Sequence, residues 1–124
     1  MTRINLIEPK ELTDSHLVAE YREIMRLPGN LHQSLNRKSK PFALNEIPEK
    51  YTLGKGHVKF FYNKMRFLDN RFKNLVVEMN KRGFRTRFSN TNIFKDCPEE
   101  FYGHYTPDKE AIEINLSRIK ERLL

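Results

Sequence analysis

The chain has 124 residues, with 23 lysines and arginines against 16 aspartates and glutamates and a formal net charge of +7. A chain of this length predicts one compact domain, and its charge favours a polyanionic partner, with nucleic acid ahead of an anionic membrane or an acidic protein. Cys97 is the only cysteine, which excludes an internal disulfide and a cysteine-rich metal site.

Two further features of the sequence concern membranes and secretion. The N-terminal stretch MTRINLIEPK has no apolar signal core, and no apolar run approaches the roughly 18 residues of a membrane span. We therefore expect a cytosolic protein, or a nuclear one if the host is eukaryotic.

The first predicted element is a helix that begins near Thr13 or Asp14. It should end before the sequence LPGN, because Pro28 and Gly29 both disfavour continuation. A shorter helix is expected to restart at Asn30 and to run through LHQSLNRK.

The two faces of this first helix differ in chemistry. Its apolar side chains fall in one arc of about 120°, which should face the core; they are Leu17, Val18, Tyr21, Ile24 and Met25. The opposite arc carries four polar side chains around the small residue Ala19, namely His16, Arg22, Glu23 and Arg26. This pattern alone does not separate a binding surface from solvated ion pairs, which are common on exposed helices and contribute little stability.

Two more long helices are predicted further along the chain. Apolar residues from Val58 to Met79 recur at steps of three and four, so they should line one face of a helix that ends at Gly83. The last helix should start at TPDKE, with Thr106 as its cap and Pro107 in its first turn. Its predicted buried stripe consists of Ile112, Leu116, Ile119 and Leu123.

A polar and aromatic stretch, RTRFSNTNIFKDCPEEFYGHY, separates these two helices and contains both proline and glycine. Long connections of this kind are often functional. The expected fold class is all-α: a single compact domain over residues 1–124, made of three main helices with a long irregular connection before the last helix.

The remaining motifs concern cofactors and nucleic acid. LGKGHV lacks the preceding strand and the third glycine of a dinucleotide fingerprint, and the four histidines show no metal-ligand spacing, so neither a cofactor nor a metal is expected. Basic residues cluster instead in KRGFRTR, from Lys81 to Arg87, and at Arg118 and Arg122. Aromatic residues lie near these cations, a combination typical of nucleic-acid contact.

Several short blocks at consistent distances carry a family resemblance. They are MTRINL, HLVAEYREIMR, GKGHVKFFYNK, FL at positions 67 and 68, KRGF and the terminal SRIKER. Together they resemble the phage endonuclease V family, the pyrimidine-dimer DNA glycosylases with AP-lyase activity. The resemblance implies a monomeric DNA repair enzyme of a bacterial or phage-infected cytoplasm, acting without a cofactor on cyclobutane pyrimidine dimers in double-stranded DNA.

The resemblance also implies a mechanism. In that family the initiator methionine is removed, and the α-amine of the next residue, here Thr2, attacks the sugar C1′ of the damaged nucleotide. The base leaves, an imine forms, and the strand is cut by β-elimination. An α-amine suits this step because its pKa of about 7.7–8.0 leaves roughly a third of it neutral at pH about 7.4. Glu23 matches the family's essential carboxylate, which stabilises the cationic sugar and assists the proton transfers.

The cations match residues that contact the DNA backbone in that family. Arg22 and Arg26 match residues that hold the phosphates beside the lesion, and His16 lies on the same side of the helix as Glu23. The full set of implied DNA-binding residues is Arg3, His16, Arg22, Arg26, Arg118 and Arg122. Flipping of a nucleotide out of the stack is implied as well.

The sequence departs from the family after the last helix. Relatives carry a short tail rich in Trp, Tyr and Lys near the lesion, whereas this sequence has ERLL there and contains no Trp. FYGHY, in the long connection, is a candidate substitute for that tail. Two alternatives remain open: the same imine chemistry on other modified bases or on abasic sites only, and a non-catalytic basic DNA-binding module with the same fold.

Overall fold

The computed structural model describes residues 4–38, 40–86 and 92–123, with only the backbone of Leu123. Over these ranges the chain is helical and contains no strand, which confirms the all-α fold class. The helices are α1 (Asp14–Ile24), α2 (Leu27–Leu35), α3 (His57–Phe60), α4 (Met65–Lys81), α5 (Asn92–Lys95) and α6 (Lys109–Leu123). No helix in the described ranges is long and apolar enough to cross a membrane.

Helix α1 begins where its capping residue predicts. The Thr13 hydroxyl accepts a hydrogen bond from the amide of His16 at 3.2 Å, which satisfies one of the free amides of the first turn. Leu17, Tyr21 and Ile24 are buried, as the apolar arc predicts. Their burial turns the opposite arc of the helix away from the core.

Helix α2 begins three residues earlier than expected, at Leu27 rather than Asn30. Pro28 lies in its first turn, where the helix requires no amide donor, so the proline starts the helix instead of delaying it. The sequence LPGN is therefore helical, and the two helices are separated only by Met25 and Arg26.

The predicted helix across Val58 to Met79 is wrong as a single element, because the chain breaks between α3 and α4. At the break, the Gly103 amide donates to the Asn63 carbonyl at 3.0 Å, and the Gly103 carbonyl accepts from Arg66 at 3.2 Å. These bonds replace helical ones. A Cβ on Gly103 would lie 2.3 Å from the Asn63 oxygen, so only glycine permits this approach.

Helix α4 is the centre of the fold and ends as predicted at Gly83. It packs against α1, α5 and the short 3-10 turn Pro9–Glu11. Gly83 has φ +86° and donates to Asn80, and the next amide, that of Phe84, donates to Met79 at 2.9 Å. This pair of bonds is the Schellman arrangement that glycine favours at a helix end.

Helix α6 differs from its prediction in both its cap and its buried face. The Asp108 carboxylate, not Thr106, caps it, by accepting from the Ala111 amide at 2.8 Å. Ala111 and Asn115 are buried, whereas Leu116 of the predicted stripe is 47% exposed. The face of α6 turned to the core is therefore rotated away from the predicted apolar stripe, and it carries a polar residue.

Candidate active site

The first described residues form no helix or strand, yet side chains from other parts of the fold satisfy their backbone groups. The Ile4 amide donates to His57 Nε2 at 2.8 Å, and the Ile4 carbonyl accepts from the Tyr51 hydroxyl at 3.0 Å. The Leu6 amide donates to Asn115 Oδ1 at 2.6 Å. A buried backbone segment must find such partners, and here side chains supply them in place of a neighbouring strand.

A buried polar network fixes the same segment to α1, α4 and α6. The side-chain Nδ2 of Asn5 donates to Glu20 Oε1 at 2.8 Å, and the side-chain Oδ1 of Asn5 accepts from Asn115 Nδ2 at 2.8 Å. Arg71 binds both oxygens of Glu20, at 2.7 and 2.9 Å, and also donates to the Ile7 carbonyl. Each buried charge thus has an opposite charge and further hydrogen-bond partners, which offset the cost of desolvation.

Glu23 lies three residues after Glu20, on the exposed side of α1. Its side chain is 14% exposed, and its ion-pair partner Arg26, at 3.6 Å, is 72% exposed. Arg22, on the same side of the helix, is exposed as well. The structure therefore brings one carboxylate and two cations to a single surface, an arrangement suited to binding an anion beside an acid.

His16 stands at the start of the same surface. Its side chain is half-buried, and its Nδ1 is enclosed with no hydrogen-bond partner in the described part of the chain. Enclosed polar atoms without partners are uncommon and frequently belong to functional sites. His16, Arg22 and Glu23 thus share one side of α1, and Arg26, just beyond the end of the helix, joins them through its ion pair with Glu23.

The two cations of the last helix have different surroundings. Arg118 is half-buried and already engaged in an interaction, whereas Arg122 is exposed. Asn115, one turn before Arg118, connects α6 to Asn5 and Leu6. The helix that carries these cations is thereby fixed to the same N-terminal segment as α1.

Two residues of the expected site, Thr2 and Arg3, lie outside the described residues. Ile4 is the described residue nearest to them in the chain, and the side chains of His57 and Tyr51 fix the position of its backbone.

The basic cluster KRGFRTR contributes a structural arginine. Arg82 donates to Glu78 at 2.8 Å, to Asp14 at 2.9 Å, and to the carbonyls of Pro9 and Lys10 at 3.2 Å each. It ties the end of α4 to the start of α1. At least this cation serves the fold rather than DNA.

The segment FYGHY packs against the core and offers little free aromatic surface. Phe101 is buried, and the Tyr102 hydroxyl donates to Asp69 at 3.1 Å. The Tyr105 ring packs edge-on against Phe60, with centroids 5.2 Å apart. The interpretation of this segment as a substitute for the family's aromatic tail is therefore not supported.

Metal ligands do not gather anywhere in the parts of the chain that the structure covers. No group of three His, Cys, Asp or Glu side chains there is arranged to hold a metal ion.

Sequence reasoning missed the residues that form the buried network: Asn5, His57, Glu20, Arg71 and Asn115. One signal was present, because Glu20 and Arg71 each lie at the edge of an apolar stripe and carry opposite charges. Their pairing joins positions 51 residues apart and required the fold.

The comparison with known families identifies the family of the chain. The profile of a family described as pyrimidine dimer DNA glycosylase matches residues 1–92. The matched range contains the N-terminal segment, both glutamates of α1 and all of α4, whereas α6 lies beyond it. The match confirms the resemblance of the motifs and supports a DNA repair glycosylase of pyrimidine dimers. The chain belongs to the pyrimidine dimer DNA glycosylase family.

Proposed function

We propose that this protein is a glycosylase with AP-lyase activity that acts through an imine between its N-terminal amine and the sugar of the damaged nucleotide. Thr2, once Met1 is removed, supplies the nucleophile, and Glu23 is the catalytic carboxylate. With Met1 attached, the Thr2 nitrogen is an amide and cannot form the imine.

One observation carries this proposal: the N-terminal segment is fixed to α1 through Glu20, three residues before Glu23. The Asn5 side chain donates to Glu20, and Glu23 follows Glu20 by a rise of about 4.5 Å along the helix. Two residues of chain span at most about 7 Å. This attachment to α1 supports the proposal that the Thr2 amine acts beside the surface that Glu23 shares with Arg22 and Arg26.

The chemical steps follow from these groups. The amine lone pair attacks C1′, and the bond between C1′ and the base nitrogen breaks, with its electron pair leaving on the base. A proton passes from the bonded amine to O4′ as the C1′–O4′ bond breaks, which opens the sugar ring and gives the protonated imine. Removal of a C2′ proton then expels the 3′ phosphate oxygen, which cuts the strand. Glu23 stabilises the cationic sugar and carries protons in these steps.

The cations are proposed to bind the backbone of double-stranded DNA, with one protein monomer on each lesion. Exposed guanidinium groups beside Glu23 suit phosphates on either side of the reacting sugar. The residues assigned to this role are Arg3, His16, Arg22, Arg26, Arg118 and Arg122. They act mainly on affinity and on its salt dependence.

Borohydride trapping tests the imine. Protein whose mass confirms the loss of Met1 is mixed with a duplex containing an abasic site, reduced, and examined for a covalent adduct. We expect an adduct with the wild type, none after acetylation of the N-terminus, and strongly reduced strand cleavage with Glu23→Gln. Glu49→Gln, which removes an exposed carboxylate elsewhere, is the matched control. An acetylated protein that cleaves as fast as the wild type would refute the mechanism.

A second duplex tests the lesion. The leading proposal predicts incision at a cyclobutane pyrimidine dimer, because the family is named for that substrate. An adduct on the abasic duplex without incision at the dimer would favour the alternative in which the same imine chemistry serves other modified bases or abasic sites only.

A further inference from the structure

We propose that His57 is a positioning residue for the N-terminal nucleophile, acting through the hydrogen bond between its Nε2 and the Ile4 amide. This inference rests on the proposed function, since it concerns how the attacking amine is held. His57 is expected to touch neither DNA nor the reacting sugar.

The two ring nitrogens of His57 have opposite roles. Nδ1 lies 2.7 Å from the Thr52 carbonyl, which can only accept, so Nδ1 carries the proton. Nε2 is then left with a free lone pair, and the Ile4 amide donates to it at 2.8 Å. The Thr52 carbonyl thus selects the tautomer that can hold Ile4.

Packing fixes the orientation of the ring. His57 is 2% exposed, and the rings of Tyr51 and Phe61 meet it edge-on at centroid distances of 5.4 and 5.5 Å. Rotation of the imidazole would break both hydrogen bonds and disturb both aromatic contacts. The direction in which Nε2 points is therefore set by the core.

Among the described contacts, this bond is the one nearest to the start of the chain. A peptide group is planar, so holding the Ile4 amide orients the peptide that joins Ile4 to the preceding residue. The Tyr51 hydroxyl holds the next peptide through the Ile4 carbonyl. Two successive peptide groups are thereby fixed, and the amine lies beyond them by two residues.

The rest of the segment is held independently of His57. Asn5 is bound by Glu20 and Asn115, and Leu6 by Asn115. Loss of the His57 bond should therefore free the end of the chain while the segment stays attached to the fold. Misplacing a reacting group by about 1 Å can cost on the order of 100-fold in rate.

Two substitutions of His57 distinguish the roles of its two ring nitrogens. In His57→Gln the side-chain oxygen reaches the position of Nε2 and can accept from the Ile4 amide. In His57→Asn the shorter side chain can donate to Thr52 like Nδ1, but it does not reach Ile4. Both variants are neutral and polar, so they differ mainly in which hydrogen bond is kept.

The measurements are the single-turnover rate of borohydride-trapped imine at saturating abasic duplex, the Kd for the same duplex, and the unfolding midpoint. We expect His57→Gln to keep a rate within about threefold of the wild type, and His57→Asn to lose on the order of 10–100-fold. The Kd for His57→Asn should rise by less than the rate falls, because Arg3 is the one assigned phosphate contact in the freed end of the chain.

The outcome that overturns the inference is distinct from failure of the proposed function. Equal rates for the two folded variants, or a loss in His57→Asn that appears in Kd rather than in rate, would contradict positioning while leaving the imine chemistry intact. No adduct with the wild type would instead refute the proposed function itself. If His57→Asn is unfolded at the assay temperature, Tyr51→Phe replaces it. That variant frees the Ile4 carbonyl and is expected to slow imine formation, and an unchanged rate would contradict the inference.

Discussion

Two glutamates three residues apart on α1 have opposite surroundings. Glu20 is fully buried, and every one of its described partners is itself buried. Glu23 reaches the surface, and its described ion-pair partner Arg26 is a largely exposed side chain at 3.6 Å. The two carboxylates therefore belong to different regions of the molecule, although less than one helical turn separates them.

The two carboxylates differ in how firmly their existing partners hold them. The Glu20 carboxylate is engaged in holding the N-terminal segment, and any new ligand would have to displace a buried arginine. Within the described residues, the ion pair of the Glu23 carboxylate is a loose one with a largely exposed arginine, and such pairs contribute about 0–1 kcal/mol. A charge that holds structure and a charge left for a ligand can thus be told apart by the partners they already have.

Removing the buried arginine tests this contrast most strongly. In Arg71→Met the Glu20 charge stays buried without its cation, so we expect the free energy of unfolding to fall by about 3–5 kcal/mol. Arg26→Met, the matched change in the exposed pair, should cost less than about 1 kcal/mol. Urea unfolding of both variants measures the difference. Similar losses in the two variants would show that the contrast is mistaken.

The backbone contact that separates α3 from α4 should have the next largest effect. Gly103→Ala forces a Cβ against the Asn63 carbonyl, and we expect a loss of about 1–3 kcal/mol in thermal unfolding. Gly29→Ala is the control, because nothing lies within 4 Å of its Cβ and the position is helical. That change should raise stability by about 0.4–1 kcal/mol. A neutral Gly103→Ala would mean that the break in the helix has another cause.

Substitutions on the exposed side of α1 should change DNA binding and leave the free energy of unfolding nearly unchanged. Arg22→Gln is expected to leave the free energy of unfolding within about 0.5 kcal/mol of the wild type. If Arg22 binds one phosphate, the slope of log K against log salt should fall by about one. DNA titrations at several salt concentrations measure this slope. An unchanged slope would remove Arg22 from the binding surface.

Lys64 gives an effect on stability that depends on pH. Its ammonium donates to the Phe60 carbonyl and to Asn63, and burial lowers its pKa from 10.5 to about 8. Between pH 8 and 10.5 the unfolded chain therefore binds more protons at this residue than the folded one. Stability attributable to Lys64 should rise with pH across that window.

Comparison with Lys64→Met isolates this titration from the other ionisable groups. Urea unfolding at pH 7, 8.5 and 10 should show the wild type gaining stability relative to the variant as the pH increases. A constant or falling difference would indicate that Lys64 keeps its charge in the folded state throughout.

Local signals in the sequence were sufficient for the start of α1, the end of α4 and the charged arc of α1. Thr13 and Gly83 act through neighbouring amides, so their roles depend only on residues within one turn. The arc that carries Arg22, Glu23 and Arg26 follows from helical period alone. These predictions needed no knowledge of the rest of the fold.

Two of the predictions that failed, the single helix across Val58 to Met79 and the buried face of α6, depended on distant contacts. Apolar period alone cannot show that Gly103 pairs with Asn63 and ends one helix before another begins. The buried face of α6 is likewise set by Asn115, which is drawn inward by Asn5 and Leu6 more than a hundred positions earlier. Polar side chains that are buried because of a partner have no pattern of their own in the sequence.

The anchoring of residues 4–7 has a consequence for the order in which the protein matures. Synthesis makes this segment before its partners, which lie at positions 20, 51, 57, 71 and 115. Contacts over such separations require loops to close and form slowly compared with local ones. Until residue 115 is made, the Leu6 amide and the Asn5 side chain lack the partner that Asn115 supplies. A segment that is synthesised early is thus among the last to find all of its partners.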